Sequence, residues 1–374
     1  DRSRLGRAPV SIEQAGALVR CGAMFASLST PLLLAIFLIA ALAVLFGGTK
    51  MTGMADRLAD RTGLGEALVG GVLLGAATSL SGTLVSVTSA LDGRASLAFS
   101  NAIGGIAAQT AFLALADVIH RRANLEHAAA DLANVFQGAM LMLLMTLPLL
   151  AWSMPPVAVA AVHPASLALL AVYVAGVFGS HRLRQQPTWT PVETRETKPD
   201  KPDPPEPGEG STAGLAARFV GLMLLMGAAG VVIAKSAGLL VDRWDISASV
   251  VGALATAVVT SLPELVTTLA AVRRGALQLA MGGIIGGNTF DMLFLTLSDA
   301  GYREGSLYHA VERGDLFWLV VGLAMTAVLV LGQLYRQREG PGRIGWESAT
   351  ILALYVGAIA AAALTGMGAA EAGG

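Results

Sequence analysis

The sequence predicts an all-α, polytopic membrane protein of about ten transmembrane helices, arranged as two inverted five-helix repeats. Three observations carry that reading. The 374 residues are 54% hydrophobic and 14% charged, with a mean hydropathy of +0.65, more apolar surface than a water-soluble domain of this size hides in its core. The apolar residues fall into runs near twenty, the length that crosses about 30 Å of hydrocarbon at about 1.5 Å per residue. The runs divide five and five around a hydrophilic stretch, and the two halves echo one another. Net charge, formally −1, decides nothing, and Cys21, the single cysteine, excludes an intramolecular disulfide.

Taken in order, residues 1–30 carry Arg2, Arg4, Arg7 and Arg20 around a mildly amphipathic stretch, which suits a tail or interfacial helix better than a span. The first half, 31–181, is expected to cross the membrane over 31–48, 65–91, 96–119, 127–150 and 160–181. A linker follows over 182–213, where Lys198-Pro199-Asp200-Lys201-Pro202-Asp203-Pro204-Pro205 is too rich in proline and charge to be other than extended. The second half, 214–374, holds spans over 214–241, 247–272, 276–299, 315–333 and 346–366. Five spans per half turn the second copy upside down relative to the first. Loops on the linker's side hold most of the Lys and Arg, with Arg121, Arg122, Arg182, Arg184, Arg273 and Arg274 among them. The linker is therefore expected in the cytoplasm of a cell-membrane protein, with both termini outside and the four arginines of the tail dissenting.

The repeat is visible residue by residue. Thr78-Ser79-Leu80 aligns with Thr260-Ser261-Leu262 at an offset of 260 − 78 = 182. The same offset pairs Gly70 with Gly252, Gly93 with Gly275, Gly104-Gly105 with Gly286-Gly287, Phe112 with Phe294 and Asp117 with Asp299, without a gap.

Two carboxylates lie where a span is deepest. Glu264 closes Thr260-Ser261-Leu262-Pro263-Glu264, and Asp291 closes Gly286-Gly287-Asn288-Thr289-Phe290-Asp291. A carboxylate at that depth costs about 2.5–3.5 kcal/mol on insertion scales, so it points to handling of an ion or proton. Pro263 has no N–H, which frees carbonyls around Val259 and Thr260 beside the Glu264 side chain.

These two motifs at this separation resemble the second alpha-repeat of the sodium/calcium exchanger family, within the cation/Ca2+ antiporter superfamily. The ten-span plan with its central loop also resembles that family, so the likeness covers nearly all of the chain past residue 30. The resemblance implies paired hairpins that cross at mid-membrane. It places Thr260 and Glu264 on Ca2+, assigns Ser261 and Asp291 to Na+ or proton sites, and carries Asn288 as part of the motif. It implies no resident cofactor, cations as cargo (Ca2+ with Na+ or H+ as counter-ion), a lipid bilayer as surroundings and no nucleic-acid partner.

The first repeat departs from the family pattern. Ser81-Gly82 stands where Pro-Glu is expected, and Gly104-Gly105-Ile106-Ala107-Ala108-Gln109 where Gly-Ser-Asn-x-x-Asn is expected. Ca2+ takes about six to eight oxygens. Glu264 and Asp291, carbonyls at Thr78 and Thr260, the hydroxyls of Ser79 and Ser261, Gln109 and water supply that number with less charge. Two alternatives stay open: a proton-coupled or monovalent cation antiporter that uses Glu264 alone, and a non-transporting partner protein that keeps the exchanger fold. A membrane enzyme is disfavoured, since the sequence has no nucleophile–base constellation and no phosphate loop. Other polar residues take simpler roles. Ser86, Thr88, Ser89 and Gly70 read as close packing, Asn101 as an interhelical hydrogen bond, Asp117 and Asp299 as caps or partners for nearby arginine at span ends, Glu66 as interfacial, and Lys235 as snorkelling. The five histidines lie near interfaces, and none is read as a metal ligand.

Overall fold

The computed structural model describes residues 27–62, 78–120, 123–157, 162–187, 190, 192, 211–275, 277–338, 340 and 344–365. The tail over 1–26, Glu66 and Gly70, the first part of the span expected at 65–91, and most of the linker lie outside them. The described chain is helical: α1 (Thr30–Thr62), α2 (Leu80–Leu91), α3 (Ala95–His120), the single turn α4 (Leu125–Ala128), α5 (Leu132–Ser153), α6 (Pro164–Gln185) and α7 (Thr212–Trp244). There follow α8 (Ala248–Thr260), α9 (Leu262–Arg274), α10 (Leu277–Asp291), α11 (Leu293–Gly301), α12 (Arg313–Tyr335) and α13 (Trp346–Leu364). Among the described residues, eight helices are long and apolar enough to cross a membrane, nine if the bent pair α8–α9 is one span. The boundaries move from the expected ones for local reasons. The span expected from 127 starts at Leu132, where the Asp131 side chain accepts from the Ala133 N–H. The one expected from 160 starts at Pro164, behind a His163 cap.

α3 is the axis of the molecule. It is buried along most of its length, and α2, α8, α9, α10, α12 and α13 all pack on it. Each α2–α3-type hairpin closes on a left-handed glycine, Gly93 (φ 76°) in the first half and Gly275 (φ 85°) in the second.

The duplication reaches further than the sequence comparison showed. Asp117 accepts from the Leu125 N–H at 2.8 Å and the Gly345 N–H at 3.3 Å. Asp299 accepts from the Leu307 N–H at 3.2 Å, the His163 N–H at 2.7 Å and the Ser166 hydroxyl at 2.8 Å. Leu125 and Leu307, and His163 and Gly345, stand at the same offset, so both repeats pin an incoming helix on a buried aspartate. Of the two roles expected of Asp117 and Asp299, cap or partner for arginine, these contacts are the cap. Side chains in this framework differ between the repeats: Tyr308 hydrogen-bonds with Ser166 at 2.7 Å, and its counterpart is Glu126. Burial, with the Asp117 and Glu347 carboxyls beside it, pushes Glu126 well above the usual carboxylate range.

Ion pairs tie α7 to the α2–α3 turn. Lys235 reaches Asp92 at 2.5 Å rather than snorkelling alone, and Arg94 takes Asp242 at 2.9 and 2.5 Å. Although no histidine neighbours another in sequence, the fold sets the His163 and His309 rings 5.6 Å apart.

Candidate cation site

Three helix breaks meet beside the middle of α3. α8 bends by 47° into α9, and the cause is local chemistry. Val251–Thr256 is a π-helical turn, and Thr256 and Thr260 return their hydroxyls to Gly252, Thr256 and Ala257 carbonyls within α8, a habit that bends helices. Ser261 then leaves the helix (φ −95°, ψ 3°), and Pro263 starts α9 without an N–H to offer Val259. Ser79, its repeat counterpart, is the corresponding break ahead of α2 (φ −75°, ψ −4°). α10 ends at Asp291 and α11 restarts at Leu293.

These breaks bring the repeat-related side chains together. Ser79 donates to Asp291 Oδ1 at 2.6 Å, and Gln109 Nε2 donates to Asp291 Oδ2 at 2.7 Å. Gln109 and Asp291 are themselves 182 residues apart. Gln109 Nε2 also approaches Ser261 Oγ at 3.3 Å, so Ser261–Gln109 mirrors Ser79–Asp291 across the pseudo-symmetry axis. Glu264 takes the Thr78 hydroxyl and its own backbone N–H.

Ser79, Thr260, Ser261, Gln109, Glu264 and Asp291 line one cavity of about 10 Å³, completed by Gly82, Asn101, Gly105 and Phe294. That is room for one water-sized guest. Thr78 joins through its hydrogen bond to Glu264. Asn288 stands off the wall: its Nδ2 donates to Thr110 Oγ1 at 3.1 Å and to the Ile106 carbonyl at 3.5 Å, stitching α10 to α3. Around the cavity the Oε1 of Gln109, the Oε2 of Glu264 and the Oδ1 of Asn101 have no hydrogen-bond donor. Buried acceptors that no donor satisfies are costly, and a cation is the guest that satisfies several at once. Bare carboxylate and amide oxygens suit a hard, oxygen-seeking ion.

Sequence reasoning gave Asn101 and Phe294 no part in the site. Asn101, Gly105 and Gln109 follow an i, i+4, i+8 stripe on α3, a signal that the resemblance to the motif obscured. Phe294 occupies the space beside Gly82. A Cβ at Gly82 would stand 2.9 Å from the Phe294 ring, so much of the volume that a glutamate would fill is taken by the aromatic.

Duplicated hairpins meeting at buried carboxylates define a polytopic, all-helical membrane protein. The chain belongs to the sodium/calcium exchanger protein family, whose model matches residues 32–180 and 214–364. It is similar to the inner membrane protein YrbG of Escherichia coli strain K12, 30% identical over 121 residues, or 32% of this chain and 36% of that protein. The matched stretch thus spans little more than a third of that relative. The fold is that of the sodium-calcium exchanger NCX_Mj, with a TM-score of 0.58 at 20% identity over 89% of this chain and 99% of the other. The H+/Ca2+ exchanger CAX gives a TM-score of 0.64 at 13% identity over 88% of this chain and 82% of the other.

Proposed function

We propose that this protein is a secondary active antiporter that moves Ca2+ or a related cation against Na+ or H+ by alternating access, with the cargo seated between Glu264 and Asp291. The observation that carries this reading is the convergence of bare acceptor oxygens and two carboxylates in one ion-sized cavity at the crossing of the repeats. Both carboxylates ionised give the site −2, which neutralises one divalent ion. The inverted hairpins supply the two-sided access that antiport needs, because either repeat can open toward its own face of the membrane. In this reading the basic side, with Arg182, Arg184 and Arg273, faces the cytoplasm together with the linker, and the termini lie outside. One observation favours a second reading: both oxygens of Asp291 already have donors, which leaves Glu264 alone to answer a monovalent cation or a proton.

Purified protein is expected to gain thermal stability in Ca2+. A ligand at 100 times its Kd adds about 2.7 kcal/mol to the folded state, a shift easily read against the apo sample. If none of Ca2+, Mg2+, Mn2+, Na+ or K+ raised the melting temperature, the cation-site assignment would fail and the non-transporting partner would be the better description.

A further inference from the structure

We propose that Asn101 is a cation ligand, an oxygen donor of the first repeat that stands in for the carboxylate that Gly82 lacks. The inference rests on the cation-site reading above. Asn101 is 1% exposed and lines the cavity with Thr260, Gln109 and Glu264. Its Nδ2 donates to the Gly82 carbonyl at 3.1 Å and to Ser86 Oγ at 2.9 Å. A flipped amide would set oxygen against the Gly82 carbonyl oxygen, so the two contacts fix which end is which. The other end, Oδ1, is then left with no donor.

The two repeats divide this task in opposite ways. The second repeat has Glu264 on α9 and, at the position equivalent to Asn101, Gly283, around which a Cβ would meet nothing within 4 Å. The first has Gly82 on α2 and Asn101 on α3. At these two pairs of positions each hairpin thus has a side-chain oxygen on one arm and glycine on the other. Phe294 closes off the Gly82 side, since a Cβ there would meet its ring at 2.9 Å, so a ligand for that wall has to come from α3. An amide in place of a carboxylate keeps the coordination number and lowers the charge, and Ca2+ affinity follows ligand charge. Asn101 thereby sets how strongly the site prefers a divalent over a monovalent ion.

The test measures Ca2+ and Na+ binding to the purified full chain, with apo stability recorded alongside. Asn101→Leu, similar in shape but without the oxygen, is expected to weaken Ca2+ binding about tenfold. Ser86→Ala removes one anchor of the amide and leaves Oδ1, so its Ca2+ affinity should stay within about threefold of wild type. Asn101→Asp should raise the Ca2+ over Na+ preference about tenfold. Wild-type binding by Asn101→Leu, or an equal loss in Ser86→Ala, would overturn the ligand role in favour of a purely structural one. Should Asn101→Leu fail to fold, Asn101→Asp decides: an unchanged ion preference overturns the proposal. Glu264→Gln separates the two levels. If it retains Ca2+ binding, the cation site and the Asn101 role fall together. If it loses binding while the Asn101 variants do not, the Asn101 role alone is wrong.

Discussion

Glu264→Gln is expected to abolish cation flux, by about 100-fold or more, in a protein that still inserts and elutes as the wild type does. The substitution keeps the side chain's size and deletes its charge. The Thr78 hydroxyl and the residue's own N–H, both of which it uses, can still be accepted by the amide oxygen, so the α8–α9 break has no reason to move. What disappears is the bare carboxylate Oε2 of a residue that lines the cavity. Taking away one partner of a buried charge pair costs about 2–5 kcal/mol, which spans roughly 30-fold to several thousand-fold in affinity. Flux and equilibrium binding measured side by side check it. Retention of most of the flux would mean that the cargo does not pass Glu264.

Gly104→Val is expected to prevent folding, whereas the same change at its repeat counterpart Gly286 is expected to be tolerated. A Cβ on Gly104 would lie 2.4 Å from the Ala253 Cα and 2.6 Å from its carbonyl oxygen. Those are backbone atoms of the π turn, so no side chain can rotate away. α3 and α8 would have to separate, and with them the cavity walls. Overpacking of this kind costs about 1–3 kcal/mol where side chains can yield and more where they cannot. At Gly286 a Cβ meets nothing within 4 Å. Gel-filtration profiles and melting curves of the two variants would separate these outcomes. A well-folded Gly104→Val would show that the contact between α3 and the π turn is not needed.

Much of this was readable before any coordinates, because membrane insertion leaves strong marks. Run length gives the spans, and a carboxylate at mid-span marks itself by its cost. The constant offset, which pairs Gly93 with Gly275, announced two copies of one hairpin. The meeting of Gln109 with Asp291 was not legible, since an offset shows that two residues are equivalent and not that they touch.

What stayed hidden depends on the third dimension. Asn101 looked like an interhelical strut, and it is one through Nδ2; its other face became visible only with the cavity. Phe294 entered the sequence comparison as a repeat marker, and nothing in one dimension placed its ring against Gly82. Asn288 belongs to the motif in sequence yet turns to Thr110 in space. The shifted starts at Leu132 and Pro164 were hidden for a simpler reason, because apolar residues such as Ala128–Ala130 continue the pattern past a cap.

The central claim is that the cavity at the crossing of the repeats carries a cation across the membrane in exchange for another. Reconstitution into liposomes, with Ca2+ on one side and an imposed Na+ gradient, then a pH gradient, on the other, tests it most directly. The account predicts Ca2+ movement that follows one of the two gradients, stops when an ionophore dissipates it, and is absent from vesicles holding Glu264→Gln. Folded, reconstituted protein that moved none of Ca2+, Mg2+, Mn2+, Na+ or K+ under either gradient would contradict it, and would leave a membrane protein with the exchanger fold and no exchange.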